Sequence, residues 1–352
     1  MNVDYLIIGQ GVAGTWLSYY LQKAGYSFLV IDAPPGDTAS RIAAGIVNPV
    51  TGRRIVKTWM IDEVLPFVSK AYTDLGNELG ITAIETKPII DFHATVQMKL
   101  AFEERFAKEP DYLKRPEDEW YWKPHFNYDL GYFTVDPCYF VRLDSILPAW
   151  RKLLEQKGQL REARFEQEKL QVKEDHIKYE DITAGHIIFC DGIGSYDSPL
   201  FQRLPFALTK GEAIWIEAKD IPQTNIFKKG MMLVPWAKDV FWVGSTYEWD
   251  FPDDKPTEAF REKTIAQLKH WLPSSFRVLD HKASIRPGTV ERRPFIGWHP
   301  QQPRVGIVNG FGTKGCSLGP WFAREFVEHI QNGAAIHPEA QIHRFSKVLS
   351  RP

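Results

Sequence analysis

The first thirty residues show two kinds of apolar pattern in succession. Residues 3–8 form a short, nearly continuous apolar run of the kind that makes a buried strand. Over residues 15–24 the apolar positions recur at helical spacing, and Gly25 ends the pattern. A second apolar run covers residues 27–31 and stops at Asp32. The segment is therefore predicted to fold as strand, turn, helix and strand.

A glycine-rich turn joins the first strand to the helix, and it reads Gly9-Gln10-Gly11-Val12-Ala13-Gly14. In such a turn the first glycine permits the tight bend, the second lets backbone approach a pyrophosphate, and the third lets helix and strand pack closely. The free N–H groups at the start of the helix would face the phosphates. Asp32 follows at the distance where a carboxylate accepts hydrogen bonds from an adenosine ribose. The whole unit predicts dinucleotide binding.

The rest of the chain carries further helical and strand patterns. Helical periodicity covers residues 59–79, 95–108, 139–156, 257–271 and 318–331. Strand patterns cover residues 81–93, 131–135, 159–165, 170–173, 176–179, 186–190 and 305–308. Between residues 206 and 247 the pattern changes to several short strands separated by turn signals, which is typical of an antiparallel sheet. This change predicts a second domain of different architecture.

Two more segments suit close contact with a flat ligand. Residues 39–49 are mostly small, and within them stand Ser40, Arg41, Ala44, Gly45 and Ile46. Small side chains let backbone lie against a flat group, although the same residues would also make a plain connector between domains. A second strand pattern runs into Cys190-Asp191-Gly192. It is either an ordinary strand and turn or a backbone edge that closes over the adenosine half of a cofactor.

Composition places the chain among globular proteins and disfavours several classes. The 352 residues are enough for two domains, and 44% of them are hydrophobic. A net charge of −1 provides no basic field for nucleic acid or an anionic membrane, so a nucleic-acid partner is not expected. No apolar run approaches the roughly 20 residues of a membrane span. Because Met1 leads directly into the first strand, we expect no signal peptide and a cytoplasmic location.

Cysteine and histidine usage bears on redox compartment and metal binding. The three cysteines have no CxxC spacing, which fits a reducing cytosol without a disulfide framework. The ten histidines show no HxH or HExxH grouping. No metal site is therefore expected.

Taken in order, these segments resemble the FAD-dependent D-amino acid oxidase superfamily, which includes glycine and sarcosine oxidases. The resemblance spans nearly the whole chain. It rests on residues 5–14 with Asp32, residues 39–49, residues 187–195, Thr209-Lys210-Gly211-Glu212, Leu233-Val234-Pro235 with Val243-Gly244-Ser245-Thr246, Ile285-Arg286-Pro287 with Pro294-Phe295-Ile296-Gly297, and residues 309–315.

The resemblance implies an α/β plus α+β fold. A Rossmann-type FAD-binding domain would be built from the discontinuous segments 1–57, 137–205 and 283–352. A mainly antiparallel substrate domain, residues 58–136 and 206–282, would be inserted into it. The final glycine loop and the start of the last helix would face the pyrimidine side of the isoalloxazine, where Lys314 would add positive charge. FAD would be held without a covalent bond, since no cysteine stands in the Arg286 segment, where sarcosine oxidases attach their flavin.

The cofactor-binding residues that the resemblance implies come from all of these motifs. They are Gly9, Gly11, Val12, Ala13, Gly14, Asp32, Ser40, Arg41, Ala44, Gly45, Ile46, Phe165, Cys190, Asp191, Gly192, Gly310, Gly312, Thr313, Lys314 and Gly315.

The chemistry implied by the resemblance is oxidation of a C–N bond in an amino acid or a secondary amine. A hydride would pass from the carbon bearing the amine to flavin N5, and water would hydrolyse the resulting imine. Arg286 occupies the usual position of the carboxylate anchor, for which a planar guanidinium is suited. Met232, Tyr247 and Thr313 would line the substrate pocket. Glycine-type oxidases carry a second arginine at the position of Thr313, so this departure argues against a small α-amino acid.

Several alternatives remain open at this point. Lys57, with Arg53 and Arg54, would bind a second anion or simply be solvated. The loop Gly312-Thr313-Lys314-Gly315 is also similar to the FAD half of the bifunctional tRNA wobble-uridine modification enzyme, which oxidises an amine on RNA. A third possibility is a flavin-binding module without catalysis; an NAD-dependent dehydrogenase is less favoured. The sequence does not decide between oxygen and another electron acceptor, nor the oligomeric state.

Overall fold

The computed structural model describes residues 1–52 and 54–350, so Arg53 lies outside the described residues. Its α-helices are α1 (Val12–Lys23), α2 (Ala39–Ile42), α3 (Ile61–Leu79), α4 (Val96–Lys108), α5 (Leu143–Gln156), α6 (Gly194–Asp197), α7 (Glu258–Trp271), α8 (Gly315–Asn332) and α9 (Ser346–Leu349). Two 3₁₀-helices cover Gln167–Lys169 and Ile342–Phe345.

The strands are β1 (Asn2–Ile8), β2 (Phe28–Asp32), β3 (Ile46–Val47), β4 (Val50–Thr51), β5 (Val56–Lys57), β6 (Ile84–Thr86), β7 (Ile89–Phe92), β8 (Leu113–Lys114), β9 (Tyr132–Val135), β10 (Tyr139–Val141), β11 (Leu160–Glu162), β12 (Leu170–Val172), β13 (Ile177–Tyr179), β14 (Ile182–Phe189), β15 (Thr209–Glu217), β16 (Ile226–Lys229), β17 (Met231–Ala237), β18 (Val240–Gly244), β19 (Arg277–Arg286), β20 (Phe295–His299) and β21 (Gln302–Asn309).

The first large sheet is parallel at its centre. Its strand order is β11-β2-β1-β14-β13-β12, and β21 also pairs with β14. Strands β11, β2, β1, β14 and β21 run parallel to their neighbours, whereas β12, β13 and β20 join as antiparallel additions. Parallel pairing brings the carboxyl ends of β1, β2, β14 and β21 to one edge, which is where α/β sheets bind ligands.

Both faces of this sheet are covered, which explains the continuous apolar runs in the sequence. Along β1, Tyr5 and Ile7 face a core shared with α1, α3, α5 and α8, whereas Leu6 and Ile8 face a second core. Helix α1 packs directly against α8. The apolar stripe of α5 contributes Ile146, Leu147 and other residues to the same first core.

The second large sheet is almost entirely antiparallel. Its order is β19-β15-β18-β17-β16-β7-β9-β8, and β16 with β7 is its parallel pair. Strands from residues 89–135 and 209–286 therefore meet in one sheet, as expected for an inserted second unit. The domain boundaries themselves stay a prediction, and β19 runs across the one drawn at residue 283.

Several predicted element bounds were wrong. Residues 139–141 form β10, which pairs with β3 and β6, and the helix begins only at Leu143. Helix α1 begins at Val12, three residues before the predicted start, because the glycine turn itself leads into the first turn of helix. The strand predicted over residues 159–165 is limited to β11.

Candidate active site

A cavity of about 550 Å³ lies between the two large sheets. Residues that follow β1, β2, β14 and β21 form one side of its wall. Residues of β15, β17, β18 and β19 form the other side. The cavity thus lies outside the carboxyl ends of parallel strands and against an antiparallel sheet, a position that suits a cofactor on one side and a substrate on the other.

The glycine turn after β1 has the close approaches that its motif predicts. Gly9 has a φ of 96°, in the left-handed region, and a Cβ added there would lie 2.7 Å from the carbonyl oxygen of Cys190. A Cβ on Gly14 would lie 1.9 Å from the carbonyl oxygen of Gly9. Gly14 therefore does not line the cavity but allows α1 to pack against the turn. At Gly11, which lines the cavity, the nearest atom to an added Cβ is Ser40 Oγ, at 3.0 Å.

The start of α1 faces this cavity. Val12 and Ala13 both line it, and the backbone N–H of Val12 donates to Ser40 Oγ at 3.1 Å. The residue before the helix, Gly11, provides no side-chain cap. The amides of the first turn can therefore bind an anion, which the helix dipole also favours.

Asp32, at the end of β2, is held by two partners. Its carboxylate accepts hydrogen bonds from the backbone N–H of Gln10 at 2.9 Å and from Arg151 Nη1 at 2.6 Å. Each carboxylate oxygen can accept a further bond, so a ribose hydroxyl still finds an acceptor here. Sequence reasoning missed Arg151, which is 5% exposed. The available signal was a charged residue within the apolar stripe of α5, three residues before Leu154.

Arg41, in α2, provides a test of whether the site fits a pyrophosphate. Its guanidinium lines the cavity, and Nη2 is buried without a hydrogen-bond partner among the described residues. Burial lowers the pKa of Arg41, and the charge of Asp32 opposes that shift. A buried N–H without an acceptor is costly, and a phosphate oxygen would satisfy it. The glycine turn, the start of α1, Ser40 and Arg41 together fit a dinucleotide.

The small-residue segment and the end of β14 complete the cofactor side. Ala44, Gly45 and Ile46 line the cavity, as do Cys190, Asp191 and Gly192. At Gly45 φ is 71°, and an added Cβ would lie 2.0 Å from the carbonyl oxygen of Val141, so this backbone must lie close to β10. The carboxyl group of Asp191 accepts a hydrogen bond from Ser195, and burial raises the pKa of Asp191 to about 6.

The loop after β21 leads into α8 at the cavity wall. Gly312, Thr313, Lys314 and Gly315 all line the cavity, and α8 begins at Gly315. Burial lowers the pKa of Lys314 to about 8, and its Nζ lies 3.4 Å from Thr58 Oγ1. A cation beside a helix N-terminus favours bound negative charge.

Arg286 lies on the opposite wall, at the end of β19. Its guanidinium donates to Ser245 Oγ at 2.8 Å and to the carbonyl oxygens of Thr246 and Lys210 at 3.1 and 3.4 Å. Burial lowers the pKa of Arg286. A Cβ on Gly211 would lie 1.6 Å from the guanidinium, so the arginine lies directly over the backbone of β15. Met232, on β17, lines the same wall.

Four more predicted residues do not line the cavity. Phe165 packs in the second core of the parallel sheet, stacked on Tyr179 at 5.0 Å. Gly310 stands behind the final loop, where an added Cβ would lie 2.8 Å from the Thr289 side chain. Tyr247 is 49% exposed, with its ring centre 5.8 Å from the Arg286 guanidinium carbon, so it lies beside Arg286 rather than in the wall.

Lys57 is the fourth, and its predicted role in binding the substrate stays a prediction. Its ammonium contacts the carboxylates of Asp62, Glu109 and Asp111 at 3.1, 2.9 and 2.8 Å. Three carboxylates already neutralise this charge, and the cavity wall does not include Lys57. Arg54 is exposed and also lies outside the wall.

Sequence reasoning missed several wall residues of the antiparallel sheet and of the loop between β18 and α7. Gly211, Lys228, Trp242 and Asp254 all line the cavity. Lys228 comes from a short strand with no motif, and no local signal marked it.

The described residues, 1–52 and 54–350, also bear on membrane spans and metal sites. Within those ranges no helix is both long enough and apolar enough to span a membrane. The same residues contain no cluster of three or more histidine, cysteine or acidic side chains that could hold a metal ion.

Comparison with known proteins identifies related sequences over most of the chain. A family described as FAD dependent oxidoreductase matches residues 4–329. Glycine oxidase of Bacillus subtilis is 24% identical over 344 residues, which cover 91% of this chain and 90% of the relative. A bifunctional tRNA 5-methylaminomethyl-2-thiouridine biosynthesis protein of Leptospira borgpetersenii is 27% identical over 83% of this chain but only 47% of its own length.

Among solved structures, glycine oxidase from Geobacillus kaustophilus has the same fold. The TM-score is 0.81 at 16% identity, and the match covers 96% of this chain and 98% of the other. The expected combination of a Rossmann-type sheet and an antiparallel sheet is confirmed.

Proposed function

Because the chain belongs to the family of FAD-dependent oxidoreductases, we propose that it oxidises a C–N bond of an amino acid or a secondary amine. When bound, FAD supplies the hydride acceptor. The protein then has to bind the substrate, orient its C–H bond and exclude water, and it need not supply a nucleophile. The similarity to glycine oxidase over nine-tenths of both chains supports this reaction class.

The surroundings of the Arg286 guanidinium carry the proposal. All three hydrogen bonds of its guanidinium go to uncharged oxygens, and no ion pair of Arg286 is present among the described residues. A partly buried guanidinium without a counterion is costly, and a ligand carboxylate would neutralise it. Because the guanidinium is planar and its partners fix its orientation, it would also hold that carboxylate in one direction.

Thr313 faces the same cavity from the loop before α8. Its hydroxyl can hydrogen-bond a ligand but carries no charge, so this loop does not offer a second arginine for a small α-amino acid. We therefore propose a substrate larger than glycine, anchored at one end by Arg286.

An RNA substrate finds less support. The segment 245–256 borders the cavity through Ser245 and Asp254. It contains four acidic residues, Glu248, Asp250, Asp253 and Asp254, against the single basic residue Lys255. Negative charge at this border would repel a phosphate backbone.

The test uses Arg286→Ala and Arg286→Lys with anaerobic flavin reduction as the readout. Carboxylated amines such as sarcosine and N-alkylglycines are compared with their decarboxylated analogues, such as dimethylamine. By analogy with truncated charge pairs, Arg286→Ala should cost about 2–5 kcal/mol of transition-state stabilisation with carboxylated amines only. The loss in Arg286→Lys should lie between zero and that of Arg286→Ala, since lysine keeps the charge but loses the planar fork.

A matched control is Arg277→Ala, on the same strand but 71% exposed in its side chain and paired with Glu217. It should behave as wild type, and FAD content should be normal in all three variants. If Arg286→Ala slows flavin reduction by both kinds of amine equally, or by neither, Arg286 does not anchor a carboxylate. A flavin that no amine, amino acid or modified tRNA reduces would contradict the proposed reaction itself.

A further inference from the structure

Besides Arg41, Lys314 and Arg286, the cavity wall contains a further cation, on a middle strand of the antiparallel sheet. Lys228, on β16, lines the cavity and keeps 19% of its side chain exposed. Its Nζ lies 2.6 Å from Asp91 Oδ2 on the neighbouring strand β7. Asp91 is 4% exposed and does not line the cavity. The ammonium of this pair therefore lies at the cavity wall, and the acid is buried away from the cavity.

The ammonium has unused binding capacity. It can donate three hydrogen bonds, and Asp91 is its one acceptor among the described residues. The other carboxylate oxygen of Asp91 is buried and has no partner in that part of the chain. A buried ion pair rarely stabilises a fold more than apolar residues of the same size would. Its position at the edge of a ligand cavity therefore indicates a role in binding.

Lys228 and Arg286 lie over the same face of one sheet. Lys228 pairs with Met232, Met232 with Gly244, and Gly244 with Ala213, and paired residues share a face. The Arg286 guanidinium lies over Gly211, two residues from Ala213 and on that same face. From β15 to β16 there are three strand spacings, which amounts to about 14 Å.

We propose that Lys228 binds a second acidic group of the substrate, while Arg286 holds the carboxylate next to the amine. The inference rests on the proposed function, because it takes Arg286 as the first anchor. Gly211 also lies two residues along β15 from Ala213, so allowing about 3 Å for the contact at each cation leaves roughly 8–9 Å between the acidic groups. The substrate class is thus an amine with two acidic groups, the second at the far end of its side chain or N-substituent. The second-anion role considered for Lys57 belongs to Lys228.

The first experiment measures binding to the FAD-loaded protein and does not depend on turnover. Adipate and hexanoate have the same chain length but two carboxylates and one, and each is titrated while the visible flavin spectrum is recorded. Adipate should bind about 10- to 100-fold more tightly, the range for a hydrogen bond between charged groups. In Lys228→Met the two acids should bind alike, and Lys228→Arg should keep most of the preference.

Two controls separate binding from folding. Lys229→Met alters the adjacent lysine, whose ammonium donates to the Asn127 carbonyl outside the cavity, and it should keep the adipate preference. If Lys228→Met fails to fold because Asp91 loses its partner, the double variant Lys228→Met with Asp91→Asn removes both charges and takes its place. Equal binding of adipate and hexanoate by the wild type, or a preference that survives Lys228→Met, would overturn the proposal.

The second experiment distinguishes this inference from the proposed function. N-(4-carboxybutyl)glycine and N-pentylglycine are compared as reductants of the flavin without oxygen. Reduction by both at equal efficiency in wild type would leave amine oxidation standing and remove the role of Lys228. Reduction by neither, with the adipate preference intact, would contradict amine oxidation while keeping Lys228 as an acid-binding residue.

Discussion

Lys314 shows what it costs the fold to bury a positive charge in the cavity wall. Burial in the turn before α8 lowers the pKa of its ammonium to about 8, whereas an unfolded lysine titrates near 10.4. Below pH 8 the lysine is charged in both states, and the folded state bears the cost of burying that charge. Between about pH 8 and 10 the folded state releases its proton while the unfolded state still holds one.

We therefore predict that the free energy of unfolding of the FAD-free wild type rises with pH across this window, relative to Lys314→Met. At pH 7 the methionine variant should be the more stable of the two, and the difference should shrink as the pH rises through 8 towards 10. Urea unfolding at four pH values measures it. Lys263→Met, at an exposed position of α7, is the control and should show no such convergence. A difference that stays constant from pH 7 to 10 would contradict the prediction.

Single residues also show where sequence reasoning stops. Asp32 and Arg41 could be located because each belongs to a local motif. Lys57 and Lys228 could not be told apart, because both are lysines in short apolar strands. Their difference lies in distant partners: Lys57 contacts three carboxylates, two of them about fifty residues away, and Lys228 contacts one on the neighbouring strand β7. Charge neutralisation of this kind depends on tertiary contacts and has no sequence period.

At the scale of elements, the unit of β1, glycine turn and α1 separates two roles of glycine. A Cβ at position 14 would lie 1.9 Å from backbone, whereas one at position 11 would meet only the end of the Ser40 side chain, at 3.0 Å. Backbone cannot yield as a side chain can, so Gly14→Ala should lower the free energy of unfolding of the FAD-free protein by about 1–3 kcal/mol. Gly11→Ala should lower it by less than about 1 kcal/mol. Both should reduce FAD content.

Chemical unfolding and bound-flavin absorbance of the two variants test this separation. Gly11→Ala tests phosphate access, because its methyl group would project into the cavity beside the start of α1. Normal FAD content in Gly11→Ala would remove the turn from the binding argument. Equal stability of the two FAD-free variants would show that α1 can shift away from the turn at little cost.

Most long elements could be predicted, and the errors have a common cause. Helices α3, α4, α7 and α8 were located to within a few residues because their apolar positions repeat and their ends carry caps, such as Thr95 and Thr257. The segment Tyr139–Val141 was assigned to helix because its apolar residues fit either period. Pairing with β3 and β6 decides the matter, and pairing is not local.

At the scale of the whole molecule, the cavity exists because two sheets of different origin meet. The parallel sheet could be predicted from β1, the glycine turn and β2, and the antiparallel sheet from the short strand patterns between residues 206 and 247. The acid-binding site proposed at Lys228 could not be predicted, since it requires the strand order β15-β18-β17-β16-β7. Sequence thus located the cofactor side well, because phosphate binding depends on local backbone. The substrate side depends on which strands are neighbours, and its prediction was correspondingly poorer.

The same cavity determines how FAD is held. Cys190 and Cys316 line it, so two thiols lie where a covalent bond to a flavin is conceivable. Burial raises the pKa of the Cys190 thiol well above its usual range and that of Cys316 to about 12, so neither forms the thiolate that such a bond requires.

We predict that acid precipitation releases all flavin as intact FAD. Added FAD should then raise the unfolding temperature of the stripped protein in a concentration-dependent way, by ligand linkage, whereas NAD should not. Cys138→Ser, away from the cavity wall, controls for thiol loss beside Cys190→Ser and Cys316→Ser. Flavin that stays on the precipitated wild type but leaves either cavity variant would identify a covalent link and contradict the prediction.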